Sequence, residues 1–169
     1  MNPGAPDVLE RLSHRFPSLL VDAVAEHEPG KRLVAFKNVT VNEDFFQGHF
    51  PSKPLMPAVL MIEALTQAAT LLLLDSSTSL GSGDYSNTDG LGVHLRGVDG
   101  AKFRKHVTPG DQLKLTVTLG AIRGPLVKAR AVAEVDGQTV VEAELLLALT
   151  PIARIDSLAR VAQIGRAHV

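Results

Sequence analysis

The chain has 169 residues, 45% of them hydrophobic and 21% charged, with a formal net charge of −1 and no cysteine. That length suits one domain with a core of useful size. The near-neutral balance excludes a globally basic nucleic-acid binder. The missing cysteine excludes a disulfide framework and thiolate metal sites, and it fits a reducing compartment. The first residues, MNPGAPDVLERL, lack the basic-then-apolar pattern of a secretion signal, so a soluble, cytoplasmic domain is expected. Residues 7–13 read as a short amphipathic helix, and 32–38 (RLVAFKN) as a strand. Residues 40–56 form a loop rich in turn residues and prolines. Pro57 then opens a long helix, because its missing N–H would be unpaired in the first turn anyway. The helix runs to about Leu74. It is greasy enough to raise the question of a membrane span, but Pro57, Glu63, Thr66, Gln67 and Thr70 would be costly in lipid, so it is read as a core helix.

The stretch SSTSLGSGDYSNTDG (76–90) is small and polar and reads as a surface loop. The second half reads as strands. In 112–119, Leu113, Leu115, Val117 and Leu119 alternate with polar residues. In 126–135, Ala129, Ala131 and Ala133 point inward, with Lys128, Arg130 and Glu134 outward. Asp136-Gly137 is a two-residue hairpin signal, and 138–149 returns as a strand. The expected architecture is α+β: a meander of about four antiparallel strands, preceded by one more, curls around a central helix that is apolar on nearly every side. One domain covers 1–150, and 151–163 reads as a short amphipathic extension. The last six residues, IGRAHV, read as a translated sequencing-adapter sequence, so 164–169 is treated as a non-native tail and carries no functional argument.

The greasy helix contains a carboxylate. Thr66, Gln67 and Thr70 follow Glu63 at i+3, i+4 and i+7, so a narrow polar stripe runs along one face. The stripe either reaches solvent at an open edge of the sheet or faces a site, where Gln67 would orient the Glu63 carboxylate. Fourteen residues before Glu63 lies His49, in a loop stiffened by Pro51, Pro54 and Pro57. The helix start adds free backbone N–H groups and the positive end of the dipole. A histidine base, a carboxyl able to hold a proton and an oxyanion site suit proton abstraction beside a carbonyl with acid-assisted loss of a group. His14, His27 and His168 are read as surface or structural, because their spacing makes no metal site.

The stretch NEDFFQGHFPSKPLMPAVLMIEALTQA (42–68) resembles the (3R)-hydroxyacyl-acyl-carrier-protein dehydratases of type II fatty-acid synthesis, the FabZ type. LSHRFPSLLVDAV before it and GVDGAKFRKHVTPGDQL after the polar loop agree. The likeness spans roughly residues 8–150. It implies the hotdog fold, and it implies roles by position: His49 in GHFP as catalytic histidine with Phe50 beside it, Glu63 as catalytic glutamate, and Gln67 as its support. Pro57 and Ala58 stand at the helix start, where the family's glycine N–H meets the thioester carbonyl. Ala58 keeps the N–H and adds a methyl group. His94 stands where many members have a tyrosine gating the acyl tunnel, and the 76–90 loop is enlarged. Related dehydratase-isomerases carry aspartate at the Glu63 position, so the likeness favours plain dehydration. It also implies a homodimer, often arranged as a trimer of dimers, with His49 and Glu63 of one site on different subunits. No metal or organic cofactor is implied.

The implied substrate is a (3R)-3-hydroxyacyl thioester on the phosphopantetheine arm of acyl carrier protein. That acidic partner would dock on Lys53 and on the basic run Lys102, Arg104, Lys105 and His106, which is otherwise read as a solvated face. The alternatives are a hotdog thioesterase or dehydratase of a specialised lipid or polyketide pathway, or a non-catalytic acyl-binding subunit.

Overall fold

The computed structural model describes residues 8–76 and 91–151. Most of the expected polar loop (77–90), nearly all of the expected extension (152–163) and the 164–169 tail lie outside the described residues. The chain enters through a single helical turn, α1 (Val8–Arg11), shorter than the predicted 7–13. Val8 and Leu12 still reach the core.

Six antiparallel strands follow: β1 (Ala23–Glu28), β2 (Arg32–Asn38), β3 (Leu91–Phe103), β4 (Gln112–Arg123), β5 (Leu126–Val135) and β6 (Gln138–Pro151). Between β2 and β3 come a 3-10 turn at Asp44–Gln47 and the long helix α2 (Ala58–Ser76). The strand order is β1-β2-β4-β5-β6-β3.

This order departs from the expected meander in two ways. Only β4-β5-β6 is a meander; β3 crosses to the far edge and pairs with β6, from Leu91 opposite Pro151 to Phe103 opposite Val141. The sequence reading also missed β1, which forms a hairpin with β2 through a turn at Gly30 (φ 72°). Its residues AVAEHE sit at an edge, and none is fully buried, so they lack the clean apolar alternation that marks a half-buried strand. At the Asp136-Gly137 turn both residues take positive φ (50° and 74°), the geometry that matches the twist of a two-residue hairpin.

α2 lies on the inner face of the sheet and packs against β2, β3, β4, β5 and β6. Ala64, Leu65, Ala68, Leu71 and Leu72 on the helix are fully buried, as are Leu115, Val117, Ala131 and Leu145 on the sheet. Each fully buried leucine contributes roughly 1.5–3 kcal/mol of transfer free energy. The alanines of β5 let the bulky helix approach, so small residues on the strand and large ones on the helix fill one layer. No helix among the described residues is long and apolar enough to cross a membrane.

Candidate active site

The polar stripe of α2 does not face solvent. Gln67 is fully buried, and Thr66 and Thr70 are each 8% exposed. The two threonines satisfy their hydroxyls on the helix itself, Thr66 on the Ile62 carbonyl and Thr70 on the Thr66 carbonyl, both at 2.9 Å. Gln67 is used at both ends. Its Oε1 accepts from the Leu20 N–H at 2.9 Å; its Nε2 donates to the Ser18 carbonyl at 2.8 Å and to Glu63 Oε1 at 2.9 Å. One amide therefore ties the segment after α1 to the helix and holds one oxygen of Glu63. Both ends of the buried Gln67 amide have partners, as burial demands.

His14 is the residue that sequence reasoning set aside. Its Nε2 lies 3.4 Å from the same Glu63 Oε1, and its Nδ1 is buried without a partner among the described residues. The only signal for it was its place in LSHRFP, one of the segments that carry the family likeness. Glu63, His14, Ser18, Leu60 and Phe45 line a cavity of about 350 Å³. Glu63 itself remains 38% exposed, so a single chain does not supply the apolar cover expected around its carboxyl.

His49 sits in a different cavity. The 3-10 turn hands the chain to it: the His49 N–H donates to the Phe45 carbonyl at 3.0 Å, and the His49 carbonyl accepts from the Leu55 N–H at 3.0 Å. The ring is fixed as well. Nδ1 lies 2.7 Å from the Leu55 carbonyl, and Phe50 stacks on the ring with centroids 4.1 Å apart. A carbonyl can only accept, so Nδ1 carries the proton, and the neutral ring offers its Nε2 lone pair as a base.

Met56, whose N–H is held by the Val107 carbonyl at 2.8 Å, leads through Pro57 into α2. Ala58 is the first helical residue, so its N–H has no intrahelical acceptor. His49, Phe50, Ala58 and Met61 line a cavity of about 500 Å³, which Arg104 and Lys105 border on the side of β3.

The remaining predicted residues fall elsewhere. His94 lies on β3 in a third cavity of about 600 Å³, with Thr70, Leu74 and His14. Lys53 is exposed on the loop and does not line the His49 cavity. The basic run is partly neutralised. Arg104 donates to Glu142 Oε1 at 2.5 Å, Lys102 lies 3.9 Å from the same oxygen, and Lys105 hydrogen-bonds Gln138. The Arg104 hydrogen bond and charge hold the Glu142 carboxyl below the usual carboxylate range.

A curled antiparallel sheet around one long helix, with a fixed histidine at the helix start, defines a hotdog-fold protein. The chain belongs to the FabA-like domain family, whose model matches residues 12–144. It is 46% identical over 146 residues to the 3-hydroxyacyl-[acyl-carrier-protein] dehydratase FabZ of Clostridium novyi, covering 86% of this chain and 96% of that protein. To the FabZ of Acidovorax sp. it is 47% identical over 146 residues, covering 86% and 97%. Among solved structures it resembles the dehydratase heterocomplex ApeI:P from Xenorhabdus doucetiae, with a TM-score of 0.66 and 14% identity over 91% of this chain and 96% of that one. At that identity the likeness speaks for the fold alone.

Proposed function

We infer that the chain is a 3-hydroxyacyl-[acyl-carrier-protein] dehydratase, a hydro-lyase of fatty-acid biosynthesis that converts a (3R)-3-hydroxyacyl thioester to the trans-2-enoyl thioester and water. The relatives support the reaction. The observation that carries the mechanism is the ring of His49, with Nδ1 committed to Leu55 and Nε2 without a partner among the described residues, in a cavity also lined by Ala58 at the helix start.

His49 Nε2 takes the proton from the α carbon. The thioester oxygen gains charge and is met by the Ala58 N–H and the positive end of α2. The C–O bond to the β hydroxyl breaks as Glu63 delivers a proton to it, and water leaves. The contacts to Gln67 and His14 fall on Oε1 of Glu63, so Oε2 is the oxygen left to work. Acid and base suffice for this elimination, so no metal or organic cofactor is called for.

His49 and Glu63 line separate cavities in one chain, which supports a composite site made by two copies. A long edge strand fits that role. Among the described residues β3 has one side unpaired, and Leu95, Val98 and Phe103 stand exposed along it, a surface suited to pairing with a second copy. A homodimer, a higher arrangement such as a trimer of dimers, a cytoplasmic location and docking of acyl carrier protein on Lys53, Lys102, Arg104 and Lys105 belong to the same proposal.

The test is incubation of purified protein with 3-hydroxyacyl carrier proteins of several chain lengths, with products read by mass. Loss of 18 mass units from the acyl group is expected. Release of free acid instead would make the protein a thioesterase.

A further inference from the structure

The end of β2 carries a lysine where the strand's alternation asks for an apolar residue. Leu33, Ala35 and Lys37 share the core-facing side, and Lys37 stands in register with the fully buried Leu113 of β4. Its side chain is 3% exposed. The ammonium donates to the Asn38 carbonyl at 3.0 Å and to Glu43 Oε1, whose side chain is 16% exposed. Burying two charges is costly, and an apolar pair of similar volume often serves stability as well or better. What an ion pair adds is a defined geometry, because it tolerates sliding poorly where methyl groups tolerate it well.

Glu43 immediately precedes the 3-10 turn Asp44–Gln47 and does not cap it; its carboxylate turns back to β2 instead. Within the turn, the Phe46 N–H donates to the Glu43 carbonyl at 3.1 Å and the Phe46 ring enters the core. Phe45 reaches both half-sites: its side chain lines the Glu63 cavity and its carbonyl holds the N–H of His49. Lys37 therefore fastens the start of this short element, which borders both proposed half-sites, to a strand inside the sheet.

We propose that the buried Lys37–Glu43 ion pair is a positioning device that sets the 3-10 turn and, through it, the His49 base. The assignment of His49 as base, made above, is its premise.

The test replaces both partners together, Lys37→Met with Glu43→Leu, in the full chain assayed on 3-hydroxyacyl carrier protein. No charge is left unpaired, so Tm should stay near that of the parent. A small misplacement of a base is expensive, so kcat should fall at least about tenfold with KM within about twofold. Lys37→Arg with Glu43 retained, which keeps the ion pair, should hold most of the parental kcat. Nitrogen NMR of the His49 ring should show the single Nδ1–H form in the parent and a mixture in the double variant.

A folded double variant with parental kcat and a parental ring signal overturns the proposal. If the double variant does not fold, Glu43→Gln keeps the side-chain length and takes its place. It should lose about threefold or more in kcat at constant KM, and unchanged kcat with an unchanged ring signal overturns the proposal equally. His49→Ala separates the two levels. If it still dehydrates, the base assignment falls. If it is dead while the pair variants are unimpaired, only the positioning role falls.

Discussion

The two halves of the proposed site are held by different means. His49 sits on a loop, and its anchors are main-chain groups: Phe45 carbonyl, Leu55 N–H and Leu55 carbonyl. Glu63 sits on a packed helix, and its anchors are side chains, Gln67 and His14. A loop has no regular hydrogen-bond ladder, so a reactive side chain there needs backbone partners to stay in place. A helix supplies that rigidity, so only the last torsions of its glutamate need fixing. Substitutions should therefore act differently on the two halves: at His49 the chemistry itself is lost, whereas around Glu63 orientation is lost by degrees.

The largest effect belongs to the proposed reacting groups. His49→Ala, and separately Glu63→Gln, should each lower kcat by about 10³-fold or more, while circular dichroism and Tm stay near the parent. Mixing the two inactive variants after joint unfolding and refolding sharpens the comparison. With random pairing, half the dimers are mixed, and each has one of two sites intact, so about a quarter of parental activity should return. No recovery would place both residues of a site on one chain.

Gln67→Leu comes next. It strips Glu63 of a donor and leaves the buried Leu20 N–H without its acceptor, costing about 1–3 kcal/mol in stability by denaturant melts along with a fall in kcat. An unchanged melt would deny the link between the early segment and the helix. His14→Leu should be milder, with about a tenfold loss of kcat at constant KM in steady-state assays, because its contact with Glu63 is longer than that of Gln67. A parental kcat would remove His14 from the site.

The smallest effect lies at the rim. Glu142→Gln frees Lys102 and Arg104 and should tighten binding of an acidic carrier protein several-fold in low salt, measured by titration at two ionic strengths. The same carboxyl has a depressed folded-state pKa. Its contribution to stability is therefore complete above the ordinary carboxylate range and is lost as pH falls through the depressed value. For so exposed a pair the change in an acid melt should be slight.

Much of this was legible from residue order alone. The apolar helix with its Glu63–Gln67 stripe, the alternation of β4 and β5 and the Asp136-Gly137 turn are local patterns with local causes. β1 was not legible, because an edge strand with Glu26, His27 and Glu28 has little apolar alternation to show. Nor was the place of β3, since alternation says which face a residue takes but not which neighbour a strand chooses. Lys37 hid for a related reason: in the sequence it is one more charged residue, and only its register beside Leu113 makes it a core-face lysine.

The sequence by itself determined that one helix carries the carboxylate with its polar stripe and that a stiff loop places a histidine ahead of that helix's start, because spacing along one helix and one stiff loop is set by covalent geometry. The tertiary structure decided the rest. It buried the stripe, brought His14 to Glu63 across some fifty residues of chain, bound Lys37 to Glu43, and set His49 and Glu63 in separate cavities. Those are meetings between segments distant in the chain. They are chosen by how the sheet and helix pack, which no local run of residues encodes.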